Sequence, residues 1–455
     1  MAIPALTAEF LCEEIVVKRT INWLIGLLIA ALALAAPAGA QQPGTQFIGI
    51  TGYRVGPYGA NGAAFFSGFI DYLTLVNERD GGVNGVKLSW EECETEYNNT
   101  KGVECYERLK TKAATGPTAI HPMSTGITYA LIDKAPVDKI PLITFGYGRT
   151  DAVDGRVFPW LFPLVSNYWD AATGIVRFIG EREGGEAKLK GKKITLLYHD
   201  SAYGKEPHPI LEAEAARLGF DLKMIPVPHP GNEQQSQWLQ IRQYRPDWVI
   251  LWGWGVMNAT ALSTAQKMNF PRDKMVGNWW AGSEIDTEAA GDAATGYYAA
   301  SLNLAGKDFQ VVRDVQKFVL DKGKSQTPAK LVGTVLWNRG LAAGMMTVEA
   351  VRTAQGKYGK KPLAGEQVRW GIENLNLDAK RLNQLGFGGM IPPVKVTCTD
   401  HGGSGLVRFQ QWEGKKWKAV TDWMSGDRAL VRKMVEDSAA KYAAEKGIKP
   451  ACLAG

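Results

Sequence analysis

The residues best suited to chemistry are few and scattered. Asp200-Ser201 beside His199, and the pair Asp400-His401, hold groups that serve in hydrolases. Neither completes a site. The members of a nucleophilic triad are recognised by geometry, and sequence neighbours rarely form one. His121, His199, His208, His229 and His401 show no spacing that would bind zinc. Asp400-His401, inside TCTDHGGS, reads as a turn after a strand. There is no G-x-S-x-G elbow, no P-loop and no G-x-G-x-x-G, since Gly253 and Gly255 lack a third glycine. The sequence therefore predicts no catalytic residue, no metal and no cofactor.

It does hold the material for binding a small molecule. Trp252, Trp254, Trp279 and Trp280 fall at or near the ends of two successive apolar runs. One or two belong to the core, and the others are expected to form an aromatic wall against a ligand. Tyr53 and Tyr58 lie in the loop TGYRVGPYGANG, where Gly56, Gly59 and Gly62 let backbone approach a bound group closely. Free N–H groups at the start of the following helix would suit an anion or a polar oxygen. An ordinary βαβ unit with a flexible loop is the alternative. Ser124, Thr125, Gly146, Tyr147, Arg149 and Thr150 are further candidates, in loops that end other apolar runs.

These loops imply the elements that position them. Short apolar strands are expected at residues 47–50, 86–90, 139–145, 192–199, 220–228, 246–252 and 274–278. Helical patterns cover 62–76, 101–114, 234–244, 332–353 and 428–444. Strands alternating with helices predict parallel sheets with helices on both faces. Loops at the carboxyl ends of such strands are where ligands collect. At 455 residues and 45% hydrophobic content, the chain can bury enough core for two lobes. A net charge of +6 without basic clusters gives no footprint for nucleic acid.

The first forty residues read as an address. Lys18 and Arg19 precede the apolar run INWLIGLLIAALALAA, and Ala38-Gly39-Ala40 supplies small residues for cleavage after Ala40. A membrane anchor is the alternative, but the run is short for a span. Removing the leader leaves Cys93, Cys105, Cys398 and Cys452. An even number in an exported protein favours disulfides. Cys93–Cys105 is locally plausible, and Cys398–Cys452 would then staple the tail, with free thiols as the alternative.

The order of pieces resembles the extracytoplasmic solute-binding proteins of ABC transporters, in the branched-chain amino acid class. The matching segments are IGITGYRVGPYGANG, NERDGGVNGVKL, HPMSTG, IPLITFGYGRTD, YHDSAYG, RPDWVILWGWG, AQKMNF, MVGNWW, GDAATGYYAAS and VRFQQWEGKKW. The resemblance implies a type I periplasmic-binding fold of α/β class, with two doubly wound lobes joined by three crossings near residues 163–169, 298–304 and 393–398. The lobes would comprise residues 44–165 plus 300–394, and 166–299 plus 395–455. It also implies a periplasmic monomer that closes on a small solute and delivers it to a permease and ATPase complex in the inner membrane. A ligand-sensing receptor working through a separate membrane partner is the alternative role.

By the same resemblance, Ser124 with Thr125 and the loop 146–150 would hold a ligand carboxylate. Tyr203 and Trp254 would cover it from the second lobe, and Tyr53 or Tyr58 from the first. One position departs from the family. Where amino-acid binders place an acid after the strand matching MVGNWW, this chain has Trp279. An ammonium desolvated without a partner is costly, although cation–π contact recovers part of that cost. Glu284 and Asp286 could substitute, but solvated loop carboxylates are the expectation there. The residues thus favour a planar or aromatic carboxylate, or another small organic solute stacking on tryptophan. Arg149 is expected either to pair such a carboxylate or to sit at the surface.

Overall fold

The computed structural model describes residues 44–453. The expected leader, with its cleavage after Ala40, lies outside the described residues. Two sheets organise the rest. In the first, β1 (Gln46–Gly52) lies between β2 (Leu88–Glu94) and β3 (Ile120–His121), and β4 (Leu142–Ile143) and β5 (Leu161–Phe162) follow. The order is β2-β1-β3-β4-β5 and every pairing is parallel. β1 is buried along its whole length, which is why it reads as an unbroken apolar run instead of an alternation.

The second sheet repeats that order. β6 (Lys193–His199), β7 (Asp221–Val227), β8 (Trp248–Trp252), β9 (Met275–Gly277) and β10 (Tyr298–Ser301) run β7-β6-β8-β9-β10, again parallel. After a separate antiparallel pair, β11 (Asn376–Leu377) and β12 (Val394–Lys395), the hairpin β13 (Arg408–Trp412) and β14 (Trp417–Ala419) extends the second sheet beyond β10. The expected strand 139–145 shortens to β4, and the two-residue β3 and β5 gave no run long enough to mark them. After Phe162 the chain adds no further strand to the first sheet; after Ser301 it adds helices, of which Val335–Tyr358 packs along Gly59–Arg79. Both sheets are mixed with helices in the doubly wound α/β manner of the type I periplasmic-binding fold. In each, the strand order reverses beside the first strand, and the crevice outside the carboxyl ends there is the natural place for a ligand.

Five helices matter for the site. α1 (Gly59–Arg79) follows β1, α2 (Thr125–Leu131) follows β3, and α3 (Tyr168–Glu183) follows β5. α4 (Val335–Tyr358) packs along α1, and α5 (Arg428–Lys446) closes the chain. Glycines let α1 and α4 touch: a Cβ on Gly340 would lie 2.0 Å from the Phe65 carbonyl oxygen, and one on Gly68 would lie 2.0 Å from that of Trp337. Tyr442 of α5 stacks on Phe158 at 4.7 Å, and Ser438 donates to Asp151 at 2.7 Å. Disulfides join Cys93 to Cys105 and Cys398 to Cys452, with Cα separations of 5.6 and 5.7 Å. The free-thiol alternative is thereby set aside.

Candidate ligand site between the sheets

Where the carboxyl ends of the two sheets face each other, ten residues line a narrow cavity of about 20 Å³. They are Tyr53, Tyr97, Met123, Ser124, Thr125, Tyr147, Tyr168, Tyr203, Trp254 and Trp280. Tyr53, Tyr97, the Met123–Thr125 segment, Tyr147 and Tyr168 follow β1, β2, β3, β4 and β5 in turn. Tyr203, Trp254 and Trp280 follow β6, β8 and β9. The repeated topology thus delivers one or more side chains from every strand end of the first sheet and from three strands of the second. Two of the lining residues hold left-handed backbone, Tyr97 at φ 58° and Met123 at φ 45°. Such strain costs on the order of 1–3 kcal/mol per residue and concentrates at functional sites.

The rings are fixed from behind. The Tyr147 hydroxyl accepts from the Met123 N–H at 2.6 Å and donates to the Ile143 carbonyl at 3.2 Å. The Tyr203 hydroxyl is 3.0 Å from both the Gly253 carbonyl and Asn278 Oδ1. Trp254 and Trp280 meet edge to face at 5.3 Å. Ser124 Oγ accepts from the Ile127 N–H and Thr125 Oγ1 from the Gly148 N–H, both at 3.3 Å, and their hydroxyls lie beside those of Tyr97 and Tyr168. Two lining groups are different. Trp254 Nε1 and Tyr53 Oη are buried; the indole N–H lies beside the Tyr53 hydroxyl and acts to lower its pKa, although neither atom makes a hydrogen bond of full geometry. Burial, with the Tyr97 and Tyr147 hydroxyls beside it, raises the Tyr53 pKa well above its ordinary value, so this group stays a neutral O–H. The lining therefore offers N–H and O–H donors and carries no charged side chain.

Four expected ligand residues lie elsewhere. Trp279 is fully buried behind the cavity: it stacks on Tyr168 at 6.0 Å and donates Nε1 to the Gly146 carbonyl at 2.8 Å. Its neighbour Trp280 takes the lining position, because strand alternation stops at Gly277 and the turn decides which indole faces inward. Gly146 contributes only as that acceptor, which Trp280 Nε1 also reaches at 3.3 Å. Arg149 forms a bidentate pair with Asp151 at 2.6 and 2.9 Å, under the Tyr442 ring, and lines a different groove. Tyr58 points its hydroxyl between His199 Nε2 at 2.7 Å and His229 Nδ1 at 2.8 Å, joining the loop after β1 to the second sheet. Tyr97, Met123, Tyr168 and Trp280 were not expected. Trp280 alone carried a signal, as half of the tryptophan pair.

The expectation of solvated carboxylates at 284 and 286 is also corrected. Asp286 is buried and accepts from Asn61 Nδ2 at 3.0 Å and Asn258 Nδ2 at 2.8 Å, and burial lifts its pKa to about 6. Glu284 accepts from the Val335 N–H at the start of α4 at 3.0 Å, and burial lifts it to about 7. Both are structural contacts between the second-sheet loops and the helices of the first. Glu206 makes a third, accepting from Thr150 N–H at 3.1 Å and Thr150 Oγ1 at 2.7 Å and pairing with the Tyr129 hydroxyl. Desolvation raises Glu206 to about 8. Asp400-His401 forms the expected turn: Asp400 accepts from Gly402 N–H at 2.9 Å, and His401 is a core residue stacked on Phe162 at 4.1 Å.

A family model described as a periplasmic binding protein matches residues 45–416. The chain belongs to that family. A structure from the Pseudomonas fluorescens group, described as an ABC transporter permease, is 47% identical, covers 90% of this chain and 99% of its own, and superposes with a TM-score of 0.84. No helix among the described residues of this periplasmic binding protein is long and apolar enough to cross a membrane. A branched-chain amino acid ABC transporter protein from Thermus thermophilus, with bound valine, is 21% identical, with 86% and 99% coverage and a TM-score of 0.72. A solute-binding protein of R. palustris in complex with benzoate is 19% identical, with 84% and 98% coverage and a TM-score of 0.64. The last two show the shared fold. A search of curated proteins returned no match. The role that goes with the family is the binding of a small solute for an ABC transporter.

Proposed function

We propose that this periplasmic binding protein captures a small organic solute without an α-ammonium group in the aromatic box between its sheets. The two sheets are the cores of two lobes, residues 44–165 plus 300–394 and 166–299 plus 395–455, with α5 of the second reaching back onto the first. Closure of the lobes completes the box, and the closed, monomeric protein presents the solute to a permease and ATPase complex after export and cleavage following Ala40. The observation that carries this reading is the lining itself. Trp254 Nε1 from the second sheet and Tyr53 Oη from the first face each other without a hydrogen bond of full geometry, and with the Ser124 and Thr125 hydroxyls they are polar groups of the lining open to a ligand oxygen. A protonated amine would find no carboxylate among the lining residues, and its desolvation would go uncompensated. A carbonyl or carboxylate oxygen satisfies the donors, and an apolar or planar body packs on the rings. The relatives bound to valine and benzoate mark the range of solutes that this fold accepts.

The test is a thermal-shift screen of the mature protein from Gln41. It spans branched-chain amino acids, benzoates and cinnamates, short dicarboxylates, and amides. A ligand that binds only the folded state raises Tm by mass action. The expected result is a shift with one or more non-amino solutes and none with leucine or valine. A shift with leucine or valine overturns the exclusion of the ammonium.

A further inference from the structure

Behind the box sits a buried cation that touches no ligand surface. Arg339, in the first turns of α4, is fully buried. Its Nη1 donates to the Trp279 carbonyl and its Nε to Asn303 Oδ1, both at 2.9 Å, and Nη2 has no partner. The guanidinium lies 4.6 Å from the Trp280 ring centroid. Trp280 lines the cavity and Arg339 does not, so the cation meets the cavity only through the indole it touches. Arg339 belongs to a helix packed on the first sheet, whereas Trp279 and Trp280 belong to the loop after β9. The contact therefore joins the long helix Val335–Tyr358 to the loop after β9. Glu284, the carboxylate whose charge reaches it, is held by the Val335 N–H and makes no ion pair with it.

We infer that Arg339 is a positioning residue that fixes the charge selectivity of the box: it holds Trp280 in place and, across the indole, favours a monoanionic carboxylate over its uncharged isostere. The inference rests on the solute-binding reading above and narrows it. With the solute's body against Trp280 and its carboxylate beyond it, the charge would sit roughly 10 Å from the guanidinium, allowing about 3.5 Å for the stack. At that distance, with the effective dielectric of a protein interior, the attraction corresponds to a preference of at least about tenfold. A cation placed behind an aromatic ring adds this attraction without direct contact. Solute size can then vary while the preference for a negative charge stays.

Isothermal calorimetry on the mature protein with matched pairs, benzoate against benzamide and propionate against propionamide, tests this directly. The wild type is expected to bind the carboxylate of at least one pair about tenfold or more tighter than the amide. Arg339→Gln is expected to bring that ratio close to one, whereas Arg339→Lys, which keeps the charge and loses the fork, weakens both partners and preserves the ratio. A purely structural role would lower both affinities in Arg339→Gln by the same factor, and that result overturns the inference. The wild-type ratio stands even where a variant fails to fold: equal or tighter binding of the amide, or no binding of any of the four probes, is also against it. Solute capture itself falls only when the wider thermal-shift panel is silent as well.

Discussion

At the scale of single residues, the site is defined by what its polar atoms lack. Most buried groups in the box are satisfied from behind, and Trp254 Nε1 and Tyr53 Oη, which lie beside each other, lack a hydrogen bond of full geometry. Around its rim, titratable groups join loops of the two sheets and set opposing pH responses. Glu206, bound to Thr150 across the cleft, has its pKa raised to about 8 from an ordinary carboxylate value near 4.3. A carboxylate whose folded pKa is raised contributes its full stability below the unfolded value and loses it as pH rises through the folded one. His199 works the other way. Burial, then the neighbouring His229, lowers it to about 3, so its contribution is present above roughly pH 6.5 and is lost as pH falls toward 3. Glu206→Gln keeps an acceptor for Thr150 and cannot ionise. Between about pH 4.5 and 8 the Tm of the wild type should fall relative to that of Glu206→Gln, as measured by calorimetric melts in matched buffers. A difference that stays constant across this window contradicts the assignment.

At the scale of elements, the strand ends place the chemistry and the α1–α4 contact holds the first lobe in shape. Much of this was legible in sequence. β1, β6, β7 and β8 are apolar runs of five to seven residues and stand out against their Gly- and Pro-rich flanks. Tyr53, Ser124, Thr125, Tyr147, Tyr203 and Trp254 were named from their loops and from the family resemblance, and all six line the cavity. Tyr97 and Tyr168 were not, for a physical reason. Tyr97 turns inward through a left-handed backbone that its neighbours do not announce, and Tyr168 opens a helix beyond the first crossing between sheets. Arg149 looked like a ligand residue by charge and position, but Asp151 two residues later captures it.

Helix packing makes a prediction with opposite signs within α4. Gly340→Ala puts a methyl 2.0 Å from the Phe65 carbonyl oxygen, and overpacking of this kind costs about 1–3 kcal/mol. That outweighs the gain of about 1 kcal/mol in helix propensity from replacing glycine. Gly356 is exposed in the same helix, and a Cβ added there would meet nothing within 4 Å. Gly356→Ala should therefore stabilise by up to about 1 kcal/mol. Denaturant melts of the two variants should shift in opposite directions; shifts in the same direction contradict the close approach of α1 and α4.

At the scale of the whole molecule, the repeated strand order of the two sheets faces two switch points toward each other, and the box is what lies between. Hydrogen bonds cross that space at Tyr58 with His199 and His229, at Asn61 with Asp286, at Thr150 with Glu206, and at Gly146 with Trp279. These are contacts that a hinged opening would break and a bound solute would help to hold, as in other two-lobe binders. The most direct measurement is a crystal structure of the mature protein grown with the solute that gives the largest thermal shift. The account predicts that solute inside the box, with an oxygen within hydrogen-bond reach of Trp254 Nε1 and Tyr53 Oη and its body against Trp280. A solute seated in another groove, or one in the box that leaves both donors unpaired, would contradict it.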